Sequence, residues 1–516
     1  MLLKQYVKFI CLRQSRWITC LKNNSIGQLD YLKSIVDSDK IDWSQVKSHI
    51  LKIRGNYNEK SVDAFMLKFM VNHQKFDAAI TFAEYIKAEN KVLSIGAINA
   101  LLHLYSAYGA KFPLPDNDKK FILDIYNHLY DKYEALDYTT SENLLHALCV
   151  IDEWKKATKV IEDIKLSGTP SHSAYSTLIS TIFRCNKKVD ALKLIDESVN
   201  NKRPLLDKAY DEWIKYVFRK YKDKKTIIKY LDEICTHIAD SCSPVTEVTI
   251  NKIKESYTLL EWNAKYTEIL RKNGECMNCH QLLSRLKLSN EEFESLQHNV
   301  KEKLIVGSDL FLKSTPDELE TFLKFVEKTA PYDVVLDALN IAYVAKTTFK
   351  DKLYLLSYAV DYFAERELKI LVLGRKHMLK WGQQSWRSIS KKSFTFFTDN
   401  LTQDDPYFIT AAILSGSHTD FVSRDLLRGH RFVLKQDKLR NIFQRWQWQH
   451  QWKLFSTRRG LKIQSPLKFT PCAQKNNGVW HIPYEAANAS AEGKVNDGVP
   501  DCATWLCMQP NSKLKS

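Results

Sequence analysis

A two-helix repeat places the strongest constraint on how this chain can fold. Over residues 61–257 apolar residues recur with a helical period, and short polar or proline-containing segments interrupt the pattern. Tyr175 and Tyr210 occupy matching positions about 35 residues apart, and related segments begin at Asn143 and Phe76. Each two-helix unit can bury its apolar face only against its neighbours. The sequence therefore predicts a solenoid of stacked helix pairs.

The repeat resembles the pentatricopeptide repeat family. Its period and its two helices fit that family, and residues 166–170 (Leu-Ser-Gly-Thr-Pro) resemble the family's inter-repeat turn. The resemblance implies an RNA-binding solenoid over residues 55–257, with a concave side that follows an extended RNA. A tetratricopeptide-like solenoid that binds protein has the same two-helix period and stays open on the pattern alone.

The charge of the chain favours a polyanionic partner. Its 516 residues carry 76 Lys and Arg against 60 Asp and Glu, a net charge of +16 at pH 7. No uninterrupted apolar run approaches the ~18 residues of a membrane span, so the sequence predicts no membrane partner.

The N-terminal segment is basic and contains no acidic residue before Asp30. Lys4, Lys8, Arg13 and Arg16 alternate with apolar residues there. This pattern is typical of a mitochondrial presequence, which we predict at residues 1–30 with the matrix as the location of the protein. A basic N-terminus without a targeting role is the alternative.

Short apolar runs in the second half end at polar residues. Tyr332-Asp-Val-Val-Leu precedes Asp337, and further runs end before Gly374, at Asp399 and at Asp425. Buried parallel strands present ligand-binding residues at their carboxyl ends. The sequence therefore predicts an α/β sheet in which Asp337, Asp399 and Asp425 lie on one side.

Two further carboxylates, Asp404 and Asp405, precede Pro406 at the predicted start of a helix. One Asp there is an ordinary helix cap, which leaves the second unexplained. Clustered carboxylates repel one another unless a cation is shared among them, and hard oxygen ligands favour Mg²⁺ or Mn²⁺. An acidic metal site in a basic chain suggests metal-dependent cleavage of a phosphodiester.

A basic stretch follows the last of these aspartates. Residues 423–462 contain eleven Lys or Arg against two acids, with Trp446, Trp448 and Trp452 among them. Basic side chains can hold phosphates and tryptophans can stack on unpaired bases. A helix with core-facing tryptophans is the alternative, and we favour it for these three residues.

Cysteine and histidine residues suggest a second metal site. Cys276 and Cys279 have the C-x₂-C spacing of a zinc knuckle. A Cys₃His zinc site would pin the segment before the α/β region to the segment after it, with the ligands Cys276, Cys279, His481 and Cys507. Cys502 competes for the fourth position, and His280 could replace His481. Two unmodified cysteines without a metal are the alternative.

Several of these motifs occur in an order that resembles protein-only ribonuclease P. They are Cys-x₂-Cys, Asp337-Ala-Leu-Asn340, and residues 373–378, 404–406, 423–430, 480–483 and 505–507. The resemblance implies a PIN-like metallonuclease of the NYN type. Such an enzyme cleaves the 5′ leader from precursor tRNA and leaves a 5′ phosphate.

Site residues follow from the same resemblance. It gives catalytic, Mg²⁺-binding roles to Asp337, Asp404, Asp405 and Asp425, and it gives structural Zn²⁺ to the Cys₃His set. Asn340 would support the aspartates. Ala338 stands where the family usually has Gly, which predicts a tighter approach of the backbone near the metals. Asp399 has no assigned role.

The resemblance also implies partners and an architecture. In the animal mitochondrial branch of the family, a tRNA methyltransferase subunit and a short-chain dehydrogenase subunit hold the precursor tRNA and assist cleavage. The predicted domains are the solenoid (55–257), a split zinc-binding connecting domain (258–305 plus 465–516) and the NYN metallonuclease domain (306–464). A non-catalytic pentatricopeptide RNA-binding factor and a PIN-like nuclease acting on another RNA remain alternatives.

Overall fold

The fold is taken from a computed structural model. It describes residues 26–38, 40–53, 55–89, 91–241, 244–300, 316–344, 349–399, 405–424, 437–457, 460–486 and 502–511. The chain divides into two compact units, Met1–His237 and Ile238–Ser516. Most of the predicted presequence lies outside the described residues.

The described part of the first unit is helical. Its helices are α1 Ile26–Ile35, α2 Trp43–Lys52, α3 Val62–Asn72, α4 Phe76–Ala88, α5 Ile95–Gly109, α6 Asp116–Lys132, α7 Tyr138–Val150, α8 Trp154–Ser167, α9 His172–Arg184, α10 Lys188–Asn200, α11 Asp207–Lys220 and most of α12 Lys224–Ser241. From α3 onward they form antiparallel pairs, and the first helices of successive pairs pack on one another. The predicted helical repeat is confirmed.

Side-chain caps begin several first helices of the pairs. Ser94, Asp137 and Ser171 each accept a hydrogen bond from the backbone N–H three residues later, at 3.1 to 3.2 Å. Such a cap satisfies one of the N–H groups that a helix start leaves without a partner. The caps of α7 and α9 recur 34 residues apart, close to the period in the sequence.

The turns inside the pairs repeat as well. Gln74, Asp152 and Asn186 have φ values of 58°, 61° and 61°, and each lies between the two helices of its pair. Asn and Asp tolerate this left-handed conformation better than most residues. A left-handed residue at the same place gives these three pairs the same sharp reversal.

Helical packing begins before the range that the sequence assigns to the solenoid. The Gln28 side chain on α1 is fully buried and donates a hydrogen bond to the Ile50 carbonyl oxygen of α2 at 3.0 Å. Leu32 and Ile50 are also fully buried. The pair formed by α1 and α2 was missed from the sequence because it precedes the recognisable repeat.

The second unit contains two sheets, and the first draws strands from distant parts of the chain. Its strands are β1 Val245–Thr246, β2 Trp262–Thr267, β9 Gln474–Asn476, β10 Val479–Glu485 and β11 Trp505–Pro510, in the order β1-β10-β11-β2 with β9 beside β10. Helix α13 Glu247–Leu259 joins β1 to β2, and α14 Asn290–Val300 follows the cysteine knuckle.

The second sheet has the order β5-β4-β3-β6-β7-β8. Its strands are β3 Val334–Asp337, β4 Ile370–Arg375, β5 Phe394–Thr398, β6 Asp420–Val422, β7 Gln451–Thr457 and β8 Gly460–Gln464. All neighbours from β5 to β7 are parallel, and β7 pairs antiparallel with β8. The four predicted strands β3 to β6 are confirmed, whereas β7 and β8 were missed.

Helices cover both faces of the second sheet. They are α15 Pro316–Thr329, α16 Ala338–Ala342, α17 Phe349–Ala364, α18 Gln383–Lys392, α19 Asp405–Ser415 and α20 Asp437–His450, with a 3₁₀ helix at Lys376–Trp381. Val335 and Leu371 pack in one apolar cluster, and Leu336 and Val372 pack in another on the opposite face. Burial on both faces explains the continuous apolar runs in the sequence.

The tryptophans of the basic stretch are structural. Trp446 and Trp448 are buried, and the Trp452 indole Nε1 donates to Asp420 Oδ2 at 2.7 Å. The core-facing interpretation is confirmed, and these rings do not form a stacking surface for bases.

None of the described helices combines the length and the apolar composition that a membrane span requires.

Candidate functional site

Strand order singles out one position at the edge of the second sheet. After β3 the chain adds β4 and β5 on one side, and it then returns to place β6 on the other side of β3. In open parallel sheets, ligands bind at the carboxyl ends of the strands where the order reverses in this way. Asp337 is the last residue of β3 and stands at this position.

The Asp337 carboxylate is held by two neutral donors. Its Oδ1 accepts from the Asn340 backbone N–H at 2.9 Å, so that Asp337 caps α16. Its Oδ2 accepts from the Ser423 hydroxyl at 3.2 Å. The residue is only 8% exposed. These two hydrogen bonds orient the carboxylate, whose oxygens are of the hard type that binds a divalent cation.

Asn340 connects this helix to the end of β6. Its side-chain Oδ1 accepts from the Arg424 backbone N–H at 2.8 Å. Arg424 directly precedes Asp425, so the contact fixes the chain at the point where the next predicted acidic ligand follows. The contacts of Ser423 and Arg424 were missed from the sequence, although both residues stand at a predicted strand end.

The remaining predicted aspartates are described only in part. Asp405 begins α19, but its side chain, like all of Asp404 and Asp425, lies outside the described residues. Tyr407 and Phe408 of helix α19 pack in the same apolar cluster as Val335 of β3. The convergence of four carboxylates therefore stays a prediction.

Asp399 lies at the same carboxyl edge of the sheet as Asp337, as the sequence predicts, but not on a neighbouring strand. It follows β5, which β4 separates from β3. Its carboxylate forms an ion pair with Lys376, and its backbone N–H donates to Glu318 Oε1 at 2.5 Å. The lysine offsets the negative charge of this carboxylate, which agrees with its lack of an assigned role.

Ala338 begins α16, and its methyl group is fully buried in an apolar cluster together with Ile341 and Ala342. We expect Ala338→Gly to lower the free energy of unfolding by about 1 kcal/mol, because glycine is a poor helix residue and the methyl contacts are lost. Precursor cleavage should stay within about twofold of wild type because the methyl group packs into the core. Chemical denaturation and cleavage kinetics measure the two effects, and a large rise in rate would instead support crowding near the metals.

The cysteine and histidine set is brought together by the first sheet. Ligand atoms of Cys276, Cys279, His481 and Cys507 all lie within 4.8 Å of one another. His481 on β10 and Cys507 on β11 stand opposite each other in register. Tetrahedral zinc with Zn–S bonds of about 2.3 Å places its sulfur ligands about 3.8 Å apart. Three sulfurs and one imidazole at this spacing could hold one metal ion.

The knuckle depends on two backbone positions. Gly274 has a φ of 78°, and a Cβ there would lie 2.8 Å from the Phe469 Cβ. His280, directly after Cys279, has a φ of 57°. These left-handed positions bend the chain so that Cys276 and Cys279 face the same point.

Hydrogen bonding within the cluster shifts the thiol pKa values. The hydrogen bond between Cys507 and Cys276 lowers the pKa of Cys276 to about 2 and raises the pKa of Cys507. Burial raises the pKa of Cys279, whose Sγ lies 3.2 Å from His481 Nε2. The cluster thus favours one thiolate among its three cysteines. A bound divalent cation would stabilise the thiolate form of all three.

Two competing ligands fall outside the cluster. Cys502 packs beside it, and its carbonyl oxygen accepts from the Ile269 N–H at 2.7 Å, but its sulfur is not in the group of four. His280 is exposed and pairs through Nδ1 with Glu275 at 3.3 Å. The geometry thus favours Cys507 over Cys502, and His481 over His280.

Comparison with known sequences gives consistent matches. The family model described as protein-only RNase P matches residues 270–507. The mitochondrial ribonuclease P catalytic subunit of Rattus norvegicus is 31% identical over 403 residues, and that of Mus musculus is 30% identical over 401. Both alignments cover 75% of this chain and 66% of the relative, so the match spans about two thirds of these proteins.

More distant relatives come from Arabidopsis thaliana. Its chloroplastic/mitochondrial proteinaceous RNase P 1 is 24% identical over 260 residues, which cover 48% of this chain and 41% of that protein. The crystal structure of its nuclear proteinaceous RNase P 2 matches 88% of this chain and 100% of that chain, with a TM-score of 0.59 and 17% identity. The structural likeness concerns the fold alone. With its family-model match and its rodent relatives, the chain belongs to the protein-only ribonuclease P family.

Proposed function

We propose that this chain is the catalytic subunit of a mitochondrial ribonuclease P, which removes 5′ leaders from precursor tRNAs as a Mg²⁺-dependent endonuclease. The observation that carries this proposal is the buried, doubly hydrogen-bonded Asp337 carboxylate at the point where the strand order of the sheet reverses. The family of the chain supplies the reaction, and the names of the rodent relatives suggest the mitochondrial location.

The acidic edge fits a hard divalent cation. Asp337 offers carboxylate oxygens held by neutral donors, and Mg²⁺ prefers oxygen ligands. In this proposal Asp404, Asp405 and Asp425 complete the ligand set, with Mn²⁺ as a possible substitute. The ion would supply an activated water and neutralise charge on the phosphate. Ser423 and the Asn340 N–H keep the Asp337 carboxylate in one orientation.

Zinc fits the second site for a structural reason. Cys276 and Cys279 precede the second sheet, whereas His481 and Cys507 follow it. A closed Cys₃His set leaves no open position for catalysis. We therefore assign it Zn²⁺ with a structural role, in the split connecting domain of residues 258–305 plus 465–516 beside the NYN domain of residues 306–464.

The solenoid of residues 55–257 would bind the precursor tRNA, in keeping with the net charge of the chain and its pentatricopeptide-like repeat. Import through a presequence at residues 1–30 would bring the protein to the matrix. A tRNA methyltransferase subunit and a short-chain dehydrogenase subunit are the proposed partners. Mapping the 5′ end of the product distinguishes this function from cleavage of another RNA.

Dependence on partners can be tested directly. We expect the purified chain to cleave precursor tRNA slowly in Mg²⁺, and the two proposed subunits to raise the rate by about tenfold or more by holding the substrate in position. Replacement of Mg²⁺ by Ca²⁺ should stop cleavage and preserve binding, since Ca²⁺ activates water less strongly. Single-turnover cleavage measures these rates. Rapid cleavage by the isolated chain would exclude the need for partners.

A further inference from the structure

Four side chains form a cationic aromatic cluster beside the carboxyl edge of the second sheet. Tyr343 follows directly after α16, the helix that Asp337 caps. His377 and Trp381 lie on the 3₁₀ helix after β4, the parallel neighbour of β3. Lys352 lies in the first turn of α17. Tyr343, His377, Trp381 and Lys352 are called the aromatic cluster below.

Each member of the aromatic cluster contacts at least one other member. The Lys352 ammonium lies 3.8 Å from the centroid of the Tyr343 ring and 5.6 Å from that of Trp381. Tyr343 and Trp381 meet edge to face at 6.1 Å, and His377 and Trp381 do so at 5.8 Å. Three rings and one positive charge thus form one contiguous cluster, with Tyr343 as its exposed member.

Packing of the core does not explain why an aromatic residue stands at position 343. This residue is 51% exposed, although it follows a helix whose apolar residues are buried. By contrast, Trp386 on the next helix is buried and donates its indole N–H to the Met378 carbonyl oxygen at 2.7 Å. A large aromatic residue left half in water beside a functional edge has area available for a ligand.

The position of Tyr343 is tied to the acidic edge. Arg424, whose N–H bonds to Asn340, also donates from its guanidinium to the Val344 carbonyl oxygen at 3.4 Å. The residues after α16 are therefore fixed to the end of β6, immediately before Asp425. A ligand on Tyr343 would lie next to the proposed cleavage position.

The chemistry of the aromatic cluster fits an unpaired nucleotide. An aromatic face accepts any base by stacking, and a lysine beside it attracts the phosphate. In a precursor tRNA, the nucleotide 3′ of the scissile bond is paired in the acceptor stem, whereas the leader on the 5′ side is single-stranded. Of the two nucleotides that flank the scissile bond, the leader nucleotide is therefore the one that can unstack and contact a side chain.

We propose that the aromatic cluster is a stacking platform for one unpaired nucleotide of the 5′ leader, with Tyr343 as its contact surface and Lys352 as its cation. This inference rests on the proposed function and adds a subsite to it. Stacking tolerates every base, so the platform would accept leaders of different sequence.

A double-mutant cycle between protein and RNA tests the platform. Precursors carry a single abasic residue at successive leader positions and are cleaved by wild type and Tyr343→Ala in the presence of both subunits. We expect Tyr343→Ala to lower kcat/KM by about tenfold, within the roughly 5- to 150-fold range of one base stack. Removal of the base at one leader position should lower the kcat/KM of wild type by the same factor. The same abasic precursor should not lower the kcat/KM of Tyr343→Ala any further. Additive losses would overturn the platform, and so would a fully active Tyr343→Ala.

Matched variants and a binding measurement complete the test. Tyr343→Phe keeps the ring, so its kcat/KM should stay within about twofold of wild type. The kcat/KM of Tyr354→Ala, which removes a 66% exposed tyrosine from α17, should stay within the same range. In Ca²⁺, wild type should bind precursor more tightly than mature tRNA, and Tyr343→Ala should lose that preference; a retained preference would contradict the platform. Because this binding needs no cleavage, failure of wild type to cut precursor tRNA would refute only the proposed function.

Discussion

Asp337→Asn is expected to lower the rate of precursor cleavage by about 10³-fold or more, equivalent to roughly 4 kcal/mol of transition-state stabilisation. The change removes the negative charge that would hold the metal and keeps the shape of the side chain. Asparagine caps helices as well as aspartate does, so Oδ1 can still accept from the Asn340 N–H. The Ser423 hydroxyl can turn to accept from the new amide. Single-turnover cleavage under saturating enzyme measures the effect.

Asp333→Asn is the matched control for this variant. Asp333 directly precedes the same strand at its opposite end, and its Oδ2 accepts the Lys369 backbone N–H at 2.8 Å. We expect full cleavage by Asp333→Asn, and for Asp337→Asn a binding affinity for precursor tRNA within about threefold of wild type. Asp404→Asn and Asp405→Asn should behave like Asp337→Asn. Cleavage by Asp337→Asn within tenfold of wild type would exclude a catalytic role for this carboxylate.

Cys276→Ser and Cys507→Ser are each expected to remove one bound zinc ion per chain and to lower the unfolding temperature by roughly 10 °C or more. Structural zinc contributes about 10–16 kcal/mol of binding free energy in small domains, and serine is a poor zinc ligand. The loss of thermal stability should be large because Cys507 lies on β11, between β10 and β2. Elemental analysis and thermal unfolding of the purified chain measure the two quantities.

Cys502→Ser provides the control, since Cys502 packs beside the cluster without joining it. This variant should keep its zinc and its unfolding temperature. A strong chelator should destabilise wild type and Cys502→Ser but have little further effect on Cys276→Ser. Loss of zinc from Cys502→Ser, with zinc retained in Cys507→Ser, would reverse the assignment of the fourth ligand.

The sequence predicted those features that depend on local pattern. Helix pairs follow from the period between Tyr175 and Tyr210, because each helix shows its buried face directly in the spacing of apolar residues. Strands β3 to β6 follow from uninterrupted apolar runs, since a parallel strand buried on both faces has no polar alternation. The position of Asp337 at a strand end follows from the same pattern.

Features that depend on distant contacts could not be predicted in this way. The first sheet pairs Trp262 with Pro510, and its strand β1 has only two residues. Strands β7 and β8 lie in the basic stretch, and in β7 the polar Gln451 is buried whereas Phe455 is exposed, so the apolar pattern does not mark the buried face. The aromatic cluster joins Tyr343 to Trp381 across the sheet edge, and neither residue signals the other in the sequence. Such pairs become visible only when the chain has folded.

The position of β11 has a consequence for the order in which the molecule can be completed during translation. Among the described residues, strands β2 and β10 do not pair with each other, and the strand that bridges them, Trp505–Pro510, leaves the ribosome after both. Until it arrives, Trp262–Thr267 lacks a partner strand in the part of the sheet that the structure describes, and its backbone remains open to pairing with other chains. A nascent polypeptide that stops before Trp505 would therefore be exposed to aggregation and quality control, even with its nuclease segment fully synthesised.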